Sequence, residues 1–165
     1  FSGEENDITG KIAVGGITKV GDLVMVKIHG ARSGQGLAGR ALSALGLKGI
    51  NISCVTSSID RDGLNNIFIA INAADLDQTL GILQSMQDEL EIGKIDYTRR
   101  CAAISIYGPH FSERPAIAGT VFQAAGEAEV EILLIATSFS TVTFLTNEDQ
   151  ADRANARLNE DFLGP

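Results

Sequence analysis

The chain contains one pattern twice, and that repetition constrains its fold more than any other feature. The first copy reads LVMVKIHG, a glycine-rich segment, INISCVTSS, NNIFIAIN and AADLDQTLGILQSMQDEL. The second reads CAAISIYG, RPAIAGTVFQAAG, VEILLIATS, TVTFLTN and EDQADRANARLNEDF. Ile28-His29-Gly30 and Ile106-Tyr107-Gly108 stand 78 positions apart, and Asn51-Ile52 and Glu131-Ile132 stand 80 apart. Self-similarity at a nearly fixed offset is the signature of one supersecondary unit used twice. Each copy predicts strand, helix, strand, strand, helix.

The apolar spacing places these elements. Leu37, Ala41 and Leu45 recur at i, i+4, i+8 and make a one-faced helical stripe, and Leu76, Leu80, Leu83 and Leu90 do the same for the second helix. Asn72 with Asp75 predicts a helix start, and Asn147 with Gln150 resembles a capping box. Pro115 suits the first turn of the third helix, where its missing N–H costs nothing. Ala151, Ala154, Leu158 and Phe162 give the last helix a thinner apolar face. The strands are rich in Val, Ile, Phe and Thr, with DRDG at 60–63 predicting a turn between antiparallel partners and a shorter turn at Phe139-Ser140. A further strand near Glu91–Asp96 closes the first copy; the second ends at a helix. The opening segment ITGKIAVG could supply the missing edge, which makes the first unit (17–97) an insertion within the second (8–16 plus 98–163). Gly15-Gly16 and Gly21-Asp22 are loop signals at the crossing. The expected class is α+β.

Bulk properties narrow the function. A chain of 165 residues with 44% apolar content suits one ordinary domain or two small ones with a buried core. A net charge of −8 argues against nucleic-acid partners and against an anionic membrane surface. Apolar runs fall far short of a membrane span. The start at Phe1 without Met is read as an excised piece of something longer or a processed chain. Cys54 and Cys101 lie in apolar strand-like runs and are read as buried reduced thiols rather than a disulfide, which suits a cytoplasmic location.

Gly34-Gln35-Gly36-Leu37-Ala38-Gly39 is formally G-x-G-x-x-G. A dinucleotide site needs that motif inside a parallel βαβ unit, with an acidic residue at a strand tip about 20 positions on. Asp60 has the distance but sits in a hairpin turn, and the second copy has HFSERPAIAG with no spaced glycines. What remains is a helix N-terminus, whose N–H groups and partial positive charge suit a carboxylate as well as a phosphate. Gly34 and Gly36 either line a ligand loop or only permit a tight turn; Gly39, mid-helix, is read as permitting close packing. No nucleophile elbow and no Walker A lysine is present. His29 and His110, without clustered Cys or acids, are read as hydrogen-bonded interface residues, not metal ligands. The acids of DLDQTL and NEDQAD are read as solvated helix starts, and Arg99-Arg100 as a solvated linker rather than an anion site. Arg114 either steers a carboxylate or pairs near Glu113. No catalytic residue, cofactor or metal is expected.

The order and spacing of these parts resemble paired ACT domains, and specifically the regulatory region of aspartate kinase. The resemblance rests on ITGKIA, HGARSGQGLAGRALSALGLKGINISCV, IDRDGLNNIFIAI and ISIYGPHFSERPAIAGTVFQAAGEAEVEILLIATS, and covers about residues 8 to 163. It implies two ferredoxin-like βαββαβ units, antiparallel sheets with helices on one face. It implies no chemistry in this chain, but an allosteric segment serving a kinase that phosphorylates aspartate, located in a kinase domain or catalytic subunit. It further implies a homodimer through the ACT units and an amino-acid effector, lysine or threonine. By resemblance the effector site comprises Ser33, Gly34, Gln35, Gly36, Leu37, Ala38, Asn51, Ile52, Ser57, Asn65 and Asn66 in the first unit. In the second it comprises Arg114, Pro115, Ala116, Ile117, Glu131, Ile132, Thr137 and Ser138. The sequence departs from the family at several contacts: Ser33 stands for an Asp, Ser57-Ser58 for Gln-Asn, Leu64-Asn65-Asn66 for Thr-Thr-Asp, and Phe139 for a Glu. A structural dimerisation module with a degenerate site is therefore the alternative.

Overall fold

In the computed structural model, which describes residues 15–32, 36–108 and 116–163, two strands run longer than the sequence pattern predicts. Strand β1 spans Gly16–Ala31 and β4 spans Lys94–Tyr107, and they pair antiparallel from Gly16–Tyr107 to His29–Lys94. The strand expected near Glu91–Asp96 and the CAAISIYG strand are thus one element, and Arg99-Arg100 lies inside it rather than in a linker. Gly21-Asp22, read as a loop, is inside β1. Of ITGKIAVG, residues 8–14 lie outside the described residues; Ile17–Val20 of β1, read from the sequence as part of the first unit, pair with Ala103–Ile106 of β4.

Between β1 and β4 the chain forms helix α1 (Leu37–Leu47), strands β2 (Ile52–Ile59) and β3 (Asn65–Asn72), a 3-10 turn and helix α2 (Leu76–Ser85). After β4 come α3 (Ala116–Glu127), β5 (Leu134–Thr137), β6 (Thr141–Asn147), α4 (Glu148–Leu158) and a terminal π turn. The six strands form one antiparallel sheet, ordered β2-β3-β1-β4-β6-β5. Each half therefore shows the ferredoxin-like order, with β1 and β4 serving both. No helix among the described residues is long and apolar enough to cross a membrane.

The ladder between β1 and β4 slips on both sides of the Leu23–Cys101 pair. Asp22 and Arg100, each just before a member of that pair, adopt positive φ of 59° and 56°. A left-handed residue with a Cβ costs about 1–2 kcal/mol, so these bulges persist because the surrounding pairing holds them. They bend the sheet, and its outer strands β2 and β5 come into contact.

The helices pack on one face, in two separate cores. Leu37, Ala41 and Leu45 of α1 and Leu76 and Leu83 of α2 bury against Val24, Val26, Ile28, Ile67, Ile69 and Ile71. Ile117, Val121, Ala124 and Ala125 of α3 and Ala151, Ala154 and Leu158 of α4 bury against Ala102, Ile104, Ile106, Val142 and Phe144. The other face is buried too: Leu23, Met25, Cys54, Ala70, Cys101, Ala103, Leu134 and Leu145 form a third cluster where the bent sheet closes on itself. Both thiols are free there, and burial pushes each above its ordinary value.

Local chemistry sets the helix ends. Asn72 caps as expected, its Oδ1 accepting from Ala74 N at 2.9 Å. The expected Asn147–Gln150 capping box does not form: Asn147 donates to Glu131 Oε2 (3.1 Å) and Gln150 Oε1 accepts from Glu131 N (2.8 Å). Helix α1 ends through left-handed Gly49; α3 ends through left-handed Glu129, where Arg153 donates to the carbonyls of Ala128 and Glu129. A Cβ on Gly39 would meet nothing within 4 Å, so close packing does not account for that glycine.

Candidate functional site

The two strand-to-helix junctions open at opposite ends of the β1–β4 pair, one after Ala31 and one after Tyr107. Ser33, Gly34, Gln35, His110, Arg114 and Pro115 lie outside the described residues. Gly36 is the N-cap of α1 with φ 81°, a conformation that favours glycine, and no side chain caps the helix there. Among the described residues the first turn of α1 has no acid, and neither has that of α3, so no first-turn carboxylate there offsets the positive end of either helix. Leu37 and Ile117 are buried in the two cores, so they offer a ligand their backbone rather than their side chains. Ala38 is half-buried and Ala116 exposed.

The hairpin between β2 and β3 reaches the same end as the α1 junction. Asn65 faces Ala31 across the ladder, and its Nδ2 donates to the Ala31 carbonyl at 3.4 Å. Asn66 Oδ1 accepts from Gly30 N at 3.0 Å, and its Nδ2 donates to Asp60 Oδ2 at 3.2 Å. Asp60 Oδ1 also accepts from Asp62 N and Leu64 N, closing the DRDG turn in which Gly63 takes φ 77°. The bond from Leu64, then that from the Asn66 amide, hold the Asp60 carboxyl below the usual carboxylate range. Asn65 and Asn66, expected at the effector, are thus tied to the strand end that carries the loop. Ser57 is exposed on β2, opposite Ile67.

Asn51 and Ile52 lie elsewhere. Ile52 pairs with Ile71 and Ile59 with Asn65, so Asn51-Ile52 sit at the far end of β2, about 23 Å from the hairpin at 3.3 Å per residue. The second half repeats this division. Thr137 and Ser138 are exposed beside the β5–β6 turn, near Tyr107, with Ser138 N donating to Thr141 O at 2.8 Å. Glu131 and Ile132 are at the opposite end, where Glu131 is bound to Asn147 and Gln150. Phe139 at the turn is 81% exposed. His29 packs edge-to-face on Phe68, ring centroids 5.4 Å apart. Among the described residues no three His, Cys, Asp or Glu side chains gather as a metal site would require.

Two groups escaped the sequence reading. One is the Asp60–Asn66–Gly30 chain, signalled only by an Asp at the head of a Gly-containing turn. The other is the bulge pair Asp22 and Arg100, whose only sequence mark is the same 78-residue offset that relates the repeats.

The architecture defines a class, a duplicated ferredoxin-like α+β module, and residues 104–162 match the ACT domain family. Over most of its length the chain is similar to aspartokinases. It is 26% identical over 161 residues to aspartokinase 2 of Bacillus subtilis, spanning 96% of this chain and 39% of that protein. Its fold matches the ligand-free regulatory subunit of aspartate kinase from Thermus thermophilus with a TM-score of 0.82 at 20% identity, covering 92% of this chain and 99% of that one. It also matches aspartokinase III of E. coli, in the T-state complex with lysine and aspartate, with a TM-score of 0.67 at 15% identity over 95% of this chain and 35% of that one. The chain spans well under half the length of the curated relatives it matches.

Proposed function

We propose that this chain is the amino-acid-sensing segment of an aspartate kinase. Its helix-leading loops receive the α-carboxylate of a small amino acid, lysine or threonine, and its two ACT units (17–97, and 8–16 plus 98–163) mediate a homodimer. The phosphoryl transfer to aspartate belongs to a kinase domain or catalytic subunit, in a cytoplasmic enzyme. The observation that carries this reading is the pair of like junctions, each leading from the end of a central strand to a helix start with no acid in its first turn. A helix N-terminus of that kind attracts a carboxylate. Regulation then requires that the effector bind two arrangements of the kinase unequally, with a coupling of about 1–3 kcal/mol.

The test is calorimetric titration of the chain with lysine, threonine and methionine. Ligand at about 100 times Kd should add about 2.7 kcal/mol of stability. A structural dimerisation module is the second reading, and one observation favours it: Asn65 and Asn66 already spend their amides inside the protein. It expects a dimer by light scattering and no shift in melting temperature with any of the three.

A further inference from the structure

Two surface hollows meet at the paired bulges and share Arg99 and Arg100. The smaller, about 210 Å³, is lined by Asp22, Val24, Ala73, Leu76, Arg99 and Arg100. The larger is lined by the same two arginines with Asn147, Glu148 and Asp149. Neither arginine lies within 4.0 Å of a carboxylate among the described residues; Arg99 instead rests over the Tyr97 ring, 5.6 Å from its centroid.

The internal repeat shows what such a place holds when it is filled. Asp22 corresponds to Arg100 and Gly21 to Arg99, because Leu23 and Cys101 are each other's ladder partners at the centre of the sheet. Leu23 pairs with Asn72 and Cys101 with Asn147, and these asparagines have matching backbones, φ −64° and ψ 139° against φ −65° and ψ 138°. Ala73 therefore stands where Glu148 stands in the other half. There the Glu148 carboxylate accepts from Asp22 N at 3.0 Å, and it lies so close to Gly21 that a Cβ would come within 2.8 Å of Oε1. In the first half the carboxylate is replaced by a methyl group, the glycine by Arg99, and the left-handed Asp by Arg100. The glutamate is gone and two guanidinium groups have arrived; the one carboxylate left in the lining, that of Asp22, lies more than 4.0 Å from both of them.

We infer that the smaller hollow binds a small free carboxylate, which takes the place that Glu148 fills in the other half. Arg99 and Arg100 hold it, because a guanidinium presents paired donors that match a carboxylate. In a chain of net charge −8, a local pair of arginines is what lets an anion settle. The site lies mid-way along β1 and β4, about 20–25 Å from either helix-leading loop at strand spacing, so it is independent of the amino-acid site proposed above.

The experiment is amide NMR of the full chain titrated with malonate, and in parallel with inorganic phosphate, at constant ionic strength. Malonate should shift the amides of Ala73, Leu76 and Arg100 along a saturable curve, with phosphate weaker. The Arg99→Gln/Arg100→Asn variant, in which Asn tolerates the left-handed backbone, should bind malonate about tenfold or more weakly. Ala73→Glu builds the missing carboxylate into the chain and should abolish the response while leaving the fold intact by circular dichroism. No saturable shift, phosphate binding as tightly as malonate, or full affinity in either variant overturns the inference.

Discussion

Replacing Asn66 by Ala tests whether this residue belongs to the scaffold or to a ligand. Its Oδ1 is the acceptor for the half-buried Gly30 N–H at 3.0 Å, at the strand end that leads into the α1 loop. Removing the acceptor leaves that donor without a partner, a cost of about 1–3 kcal/mol. For a chain of this size, at about 3 °C per kcal/mol, the melting temperature falls by about 3–9 °C. The substitution also frees Asp60 Oδ2, so Asn66→Ala and Asp60→Ala should couple. Contacting residues in one network give non-additive effects of about 0.5–3 kcal/mol in a double-mutant cycle. Urea unfolding of the parent, both single variants and the double variant measures this. Additive effects, or an Asn66→Ala protein of parental stability that loses amino-acid binding, refute the scaffold assignment.

Other outcomes follow from burial and charge. Phe144→Ala should cost about 3–5 kcal/mol, read as a lower urea midpoint, because Phe144 is fully buried and packs edge-to-face on Phe122 at 6.0 Å. Cys54 and Cys101 should not react with Ellman's reagent at pH 8 in the folded chain and should both react in urea, since burial holds the thiols protonated. Asp60 and Asp96 have carboxyls lowered first by backbone N–H bonds, from Leu64 and Tyr97 respectively. A lowered folded-state value means stability that is present above the unfolded carboxylate value of about 3.9 and is lost as pH falls below it. The urea midpoint should drop between pH 5 and pH 2, and Asp60→Asn with Asp96→Asn should flatten that drop.

The repeat, the helix stripes and the hairpin turn were legible because each rests on spacing within one element. Leu37, Ala41 and Leu45 face the core as their periodicity predicts, and DRDG turns where it should. The merging of two expected strands into β4 was not legible. Arg99-Arg100 is a charged pair between apolar runs, which looks like a linker, and its strand character comes from pairing with distant β1 residues. The closure of the sheet was hidden for a similar reason. Cys54, Ala70 and Leu134 look like ordinary strand residues, and only the long-range bend makes their face an interior. The Asn147–Gln150 pair fits a capping box locally, yet the main-chain N–H of Glu131 claims Gln150 instead. At the candidate site, the start of α1 was predictable; the diversion of Asn65 and Asn66 into internal bonds was not, because it depends on the strand end that the hairpin meets.

The sharing of β1 and β4 by both halves has a thermodynamic consequence. The two βαββαβ units share both long strands: the first ends in the opening of β4, and the second takes its remaining strand from the opening of β1. Among the described residues there is thus no seam at which one unit could melt while the other survives. Scanning calorimetry should show a single endotherm whose van't Hoff and calorimetric enthalpies agree, and severing the backbone near residue 98 should leave a C-terminal fragment that lacks the opening of β1, is unfolded alone and regains structure only when mixed with the N-terminal one.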